Sequence, residues 1–204
     1  MKIGTKLITA LILLLHLNSS EGQSVVNDLS SSVERRRIVL ESAHGTGASS
    51  GSAINGIIRN ETDREINIDV FASNPVFLVN RGSGQNMVVT QIYGRDGSYV
   101  SDGKRSFITL RPREQSQVVF VAYCADFEKE NPTESDQFIL GQVPTELRSV
   151  VESIAAFART NPNRDITAAA QVAIWLAQGI NSQEIAKKFS FSPEDERLAY
   201  TFLR

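Results

Sequence analysis

Hydrophobic and polar residues alternate with a period of two along the first half of the chain and recur at helical spacing along the second. The cleanest alternation is Glu65–Phe71. There Ile66, Ile68 and Val70 face one way and Asn67 and Asp69 the other, the pattern of a half-buried strand. Further short extended segments are read at Arg37–Ser42, Ala53–Arg59, Val76–Val79, Asn86–Tyr93 and Phe107–Leu110. Turn residues separate them: Asn60 to Asp63, Asn74-Pro75, Arg95-Asp96-Gly97, Asp102-Gly103 and Arg111-Pro112-Arg113. Gly45–Gly51 could cradle a phosphate, but a strand rather than a helix follows it, so it reads as a hairpin loop.

Val118–Phe127 is the most apolar run after residue 22. Val118, Phe120, Ala122 and Cys124 share one of its faces, and Val119, Val121 and Tyr123 share the other. Two apolar faces predict a central strand. Glu128–Ser135 then closes the strand region, and the period changes. Leu147, Val150, Val151, Ile154 and Phe157 mark a helix over Thr145–Arg159, which Asn161-Pro162-Asn163 breaks. Ile166–Gln178 is apolar nearly all round, with Asp165 at its start and Gly179 at its end, so it should be buried. Ser182 caps a short helix to about Phe189. Ser192-Pro193 opens a last one, with Glu194 and Asp195 at the positive end of its dipole.

Together these elements predict an α+β protein: an N-terminal immunoglobulin-like antiparallel β-sandwich of roughly seven strands followed by a small C-terminal helical bundle. Residues 1–22 have the layout of a secretory signal peptide. Lys2 and Lys6 precede an apolar core at Leu7–Leu17, and Ser20 and Gly22 suit cleavage. Residues 23–36, polar and rich in Ser, read as a flexible linker. Residues 37–141 form the sandwich and 142–204 the four-helix unit.

Composition narrows the function. Hydrophobic content of 41% and charged content of 22% are ordinary for a globular domain. A net charge of -2 offers no electrostatic case for nucleic acid. Gln171–Leu203 has the spacing of a helix-turn-helix, yet its last helix opens on Glu194, Asp195 and Glu196, where phosphate contact needs cations. Arg35-Arg36-Arg37 could touch phosphates or sulfated sugars, or form a solvated edge. Asn60-Glu61-Thr62 matches a glycosylation acceptor. Past residue 22 the chain holds one histidine, His44, and one cysteine, Cys124. They cannot supply the four ligands of a zinc site, and no metal or other cofactor is expected. His44 beside Ser49, Ser50 and Ser52 does not define a triad, so no catalytic group is assigned.

The remaining candidate chemistry concerns the lone thiol. Ala170-Gln171-Val172-Ala173-Ile174-Trp175 resembles the Thr-Gln-x-Ala-Ile-Trp motif of the bacterial Cys–Gln thioester domains, with Ala170 in place of the Thr. Tyr123-Cys124, ending a strand, is similar to the cysteine site of that family. The resemblance runs from about Tyr123 to Gly179. It implies an internal thioester between Cys124 and Gln171, supported by Tyr123, Ala173 and Trp175, that acylates an amine on a partner surface. The chain is therefore expected to be a secreted, periplasmic or cell-envelope binding module rather than an enzyme. It would meet a protein or cell-surface partner, bind no nucleic acid, and have no membrane span once residues 1–22 are shed. The alternative is a structural subunit of an envelope assembly without covalent chemistry, with Cys124 a core residue and Gln171 bonded to neighbouring backbone.

Overall fold

A computed structural model describes residues 25–204; the signal-peptide reading falls on residues outside that range. The strands are β1 (Val26–Asn27), β2 (Ile38–Gly45), β3 (Ser50–Asn60), β4 (Ile66–Asp69), β5 (Phe71–Asn80), β6 (Met87–Gly94), β7 (Val100–Ser101), β8 (Ser106–Leu110), β9 (Gln115–Cys124) and β10 (Phe138–Gly141). The helices are α1 (Leu29–Glu34), α2 (Thr145–Thr160), α3 (Thr167–Ala177), α4 (Ser182–Lys188) and α5 (Pro193–Phe202).

The protein is α+β with two sheets, which fits the expected sandwich in part, but the arrangement is not immunoglobulin-like and no separate helical bundle follows it. Six strands form one sheet in the order β10-β5-β6-β9-β3-β2, and four form another, β1-β4-β8-β7. The larger sheet curls until its edges meet. His44 of β2 bridges Gln137 just before β10, and Gly45 N donates to Asp136 O at 3.2 Å. The result is a nearly closed barrel. Register shifts at Leu40/Ser42, Gly51/Ile54, Phe71/Val76 and Val89/Gln91 supply the bend, because each bulge adds local twist and coil. Periodicity reports which face of a strand is buried but not how far a sheet curls, so the sequence pattern could not separate a barrel from a sandwich.

Val70 joins the two sheets. Its N–H donates to Ser106 O in β8, and its carbonyl accepts from Ile92 N in β6. One residue thus lets the chain switch sheets between β4 and β5.

Nor do the helices form a bundle of their own. α2 lies on β5 and β6, and α3 lies on β9 and β3, with α5 packed over α3. Leu147, Val150, Val151 and Ile154 of α2 are buried in the same core as the strands. Burying such side chains is worth about 1.5–3 kcal/mol each, which ties α2 to the sheet. Residues 25–36, read as part of a flexible linker, are also ordered. β1 pairs parallel to β4, and α1, capped by Asp28, buries Leu29 and Ser32. Phe138–Gly141, unread as a strand, pairs with β5.

Two polar positions depart from the alternation for a visible reason. Asn67 and Asp69, assigned to the solvent face of β4, are buried. Asn67 Oδ1 accepts from Thr109 Oγ1 at 2.7 Å, and Asp69 Oδ2 accepts from Arg159 Nη1 of α2 at 2.8 Å. Asn60, in the glycosylation-like triplet, is wholly buried too. Its amide donates to Arg64 O and Arg111 O, and its Oδ1 accepts from Thr62 N. In the folded chain it is a structural clamp.

Candidate functional site

β9 runs between β6 and β3 in the middle of the large sheet, as its two apolar faces predict. Val118, Phe120, Ala122 and Cys124 point into the core, while Val119 and Val121 on the other face are half-buried. α3 covers the end of that second face. Its N-terminal turn starts where Asp165 Oδ1 accepts from Thr167 N, and the chain leaves it at Gly179, whose φ of 85° suits a residue without Cβ. Ala169 to Trp175 are all buried, so small side chains let α3 approach the strands closely.

The approach brings Gln171 onto Cys124. Cys124 N–H donates to Gln171 Oε1 at 2.9 Å, and Gln171 Nε2 donates to Cys124 O at 2.9 Å. One carboxamide thus serves both main-chain groups of one residue, as a neighbouring strand would. Cys124 N–H is also shared with Ser49 O at 3.2 Å, in the loop between β2 and β3. Neither Cys124 nor Gln171 is exposed to solvent. The thiol faces Met87 of β6, with Sγ 3.7 Å from Sδ. Burial pushes the Cys124 thiol up to about 12, and the nearby Asp126 carboxylate adds to the effect. Burial likewise raises the neighbouring Tyr123 phenol.

Trp175 lies one helical turn beyond Gln171. It packs edge-on to Phe127 at 5.2 Å and to Phe189 at 5.5 Å. Ala173 is fully buried in the same helix. All five sequence-assigned residues therefore sit on β9 or α3, and the Cys124–Gln171 pair is in direct contact. Sequence reasoning missed Met87, which cross-strand register brings against Cys124 without a local sequence signal. Ser49, brought up by the loop between β2 and β3, and Asp126, two residues along from Cys124, were given no role at the site.

Among the described residues no group of three or more His, Cys, Asp or Glu side chains could hold a metal ion, and no helix is long and apolar enough to cross a membrane. The last helix bears its capping box at Ser192 and Asp195, with three acidic residues in its first turn.

Fold and site define a class in physical terms: a nearly closed β-barrel whose central strand ends in a cysteine clipped by a glutamine from a buried helix. Comparison with protein-family models, with curated proteins and with solved structures finds no match.

Proposed function

We propose that this protein is an exported binding module whose Cys124 and Gln171 form an internal thioester for covalent attachment to an amine. The observation that carries the reading is the double hydrogen bond between the Gln171 carboxamide and the Cys124 main chain. Sequence resemblance nominated the pair across a separation of 47 residues, and the fold puts the two in contact.

The contact holds the carboxamide against the Cys124 main chain, and the sulfur that would attack it faces Met87. Cys124 N–H points at Oε1, the atom that gains negative charge when sulfur attacks the carboxamide carbon. A thiol held near 12 carries little thiolate at neutral pH, so its proton must leave as the S–C bond forms. The Sγ–Cδ bond forms, the Cδ–Nε2 bond breaks, and the thiol proton goes to the departing nitrogen, which leaves as ammonia. An incoming primary amine then takes the acyl group and returns a proton to sulfur.

Intact mass spectrometry of the purified chain tests this directly. A thioester lowers the mass by ~17 Da, the loss of one ammonia in acyl transfer. That deficit should vanish in Cys124→Ala and in Gln171→Leu. Full mass in the wild type removes the covalent reading.

A second reading is a structural envelope subunit without covalent chemistry. It is favoured by Ile139 and Leu140 on β10, which are 50% and 37% exposed beside the seam where Asp136 and Gln137 meet β2. In that reading Gln171 only clips α3 to the sheet, and the mass is unaltered.

A further inference from the structure

A cleft of about 240 Å³ opens between the loop after β5, the segment after β9, and helices α3 and α4. Ser49, whose carbonyl touches Cys124 N–H, stands at its edge, so it adjoins the Cys124–Gln171 pair. Gln85 and Trp175 both line it, and both are more than nine-tenths buried. Within the protein, Trp175 Nε1 and Gln85 Oε1 have no hydrogen-bond partner. An unpaired buried donor or acceptor costs about 1–3 kcal/mol, so two in one cleft call for a reason. The Gln85 amide cannot simply be turned round. Its Nε2 donates to Lys129 O at 2.9 Å and Asn131 Oδ1 at 3.3 Å, and a flip would set oxygen against oxygen.

We propose that this cleft binds a neutral polyhydroxyl ligand, a single sugar residue or small polyol, one of whose hydroxyls accepts from Trp175 Nε1 and donates to Gln85 Oε1. A hydroxyl is the small group that both gives and takes a hydrogen bond. A carboxylate could serve Trp175 but not Gln85. An ammonium could serve Gln85 but not Trp175. The volume lies below the ~300–1,000 Å³ of pockets for drug-sized ligands, so it takes one unit rather than a chain. Phe127 supplies an aromatic wall beside the Trp175 ring.

Neither unpaired atom carries open surface, so a ligand must displace part of the rim, where Lys188 Nζ lies 4.6 Å over the Phe127 ring. Its side chain is 48% exposed and tied to Glu128 at 2.7 Å. Such a rim pair is worth about 0–1 kcal/mol, so it yields easily to a ligand. The proposal uses no atom of the Cys124 side chain and stands whether or not the thioester forms.

Trp175 is the only tryptophan, so its indole N–H gives one signal in a nitrogen–proton correlation spectrum. Glucose, N-acetylglucosamine and glycerol are titrated into the full chain, with methylammonium and acetate as charged probes. A saturable shift of the indole signal with at least one neutral probe, and none with the charged ones, is expected. Gln85→Leu should weaken binding at least about tenfold, equivalent to about 1.4 kcal/mol. Trp175→Phe keeps the aromatic packing and loses the donor, so calorimetry on it should show the same loss and covers the case of a misfolded Gln85 variant. No saturation at concentrations on the order of 100 mM, well above millimolar affinity, overturns the proposal. So does saturable binding of a charged probe, or unaltered affinity in both variants.

Discussion

The carboxamide of Gln171 lies against the main chain of Cys124, giving one hydrogen bond and taking another, both at 2.9 Å. It completes the backbone pairing where β9 runs past the end of β3, and it ties the central strand of the barrel to the buried helix α3.

Removing that clip should loosen the junction. Gln171→Leu keeps the volume but strands a buried carbonyl, while Cys124 N–H retains only Ser49 O. Two lost bonds and one unsatisfied acceptor amount to about 2–4 kcal/mol. Urea unfolding should show a lower midpoint at unchanged slope. A loss below about 0.5 kcal/mol, the usual scatter of surface substitutions, would mean that the clip holds nothing.

In protein of full mass, stability should fall in alkali through the same residue. The folded thiol titrates at about 12 against an ordinary 9.0, so the unfolded chain gives up this proton first. The contribution is therefore complete below pH 9.0 and drains away between there and about 12. Tyr123, also raised by burial, acts in the same direction from its ordinary 10.0 upward. Denaturation curves at about pH 8 and about pH 11 should converge for Cys124→Ala relative to wild type. Equal slopes in both proteins would mean that the sulfur carries no titratable proton, the outcome a thioester gives.

Alkylation offers a kinetic check. In protein of full mass, the thiolate fraction near pH 8 is on the order of 10⁻⁴ for a pKa near 12, and the sulfur has no solvent access. Iodoacetamide should leave Cys124 untouched in the native state and label it fully in denaturant. Fast native labelling would contradict the buried position.

The seam between α2 and the sheets depends on Arg159. Nη1 meets Asp69 at 2.8 Å, Nη2 donates to Phe71 O and Ser73 Oγ at 3.2 Å, and the guanidinium lies 5.5 Å from the Phe71 ring centroid. A double-mutant cycle of Arg159→Ala with Asp69→Asn should return a coupling of about 1–3 kcal/mol, since the carboxylate is largely shielded. Hydrogen exchange along the last turn of α2 should rise in either single variant. A coupling near zero would place the docking energy in the apolar face instead.

Much of the local structure was legible. The face assignment of Val118, Phe120, Ala122 and Cys124 matches their burial. Thr145, Gly179 and Ser192-Pro193 fall within a residue or two of observed helix ends. Asn181, rather than Ser182, caps α4, because its side chain is the one that accepts from Glu184 N. Asn67 and Asp69 were misjudged because the cover over them, Thr109 and Arg159, comes from distant segments. For the candidate site, Cys124 and Gln171 stood out as a lone thiol and a polar residue in an apolar helix. Gln85 did not, because nothing in its own stretch distinguishes it until the loop of Lys129 and Asn131 closes over it.

By itself the sequence determined most of the longer strands and helices, the buried face of the central strand, and that the Trp-bearing helix lies inside. Those properties are local, set by the repeat of side chains along one element and by the residues that cap it. Only the tertiary structure decided that β2 and β10 meet to close the sheet, that α2 and α3 dock on its strands instead of on each other alone, and that Met87, Ser49 and Gln171 converge on Cys124. Strand order and sheet curvature arise from pairings between segments far apart in the chain, and such pairings leave no periodic trace in either partner.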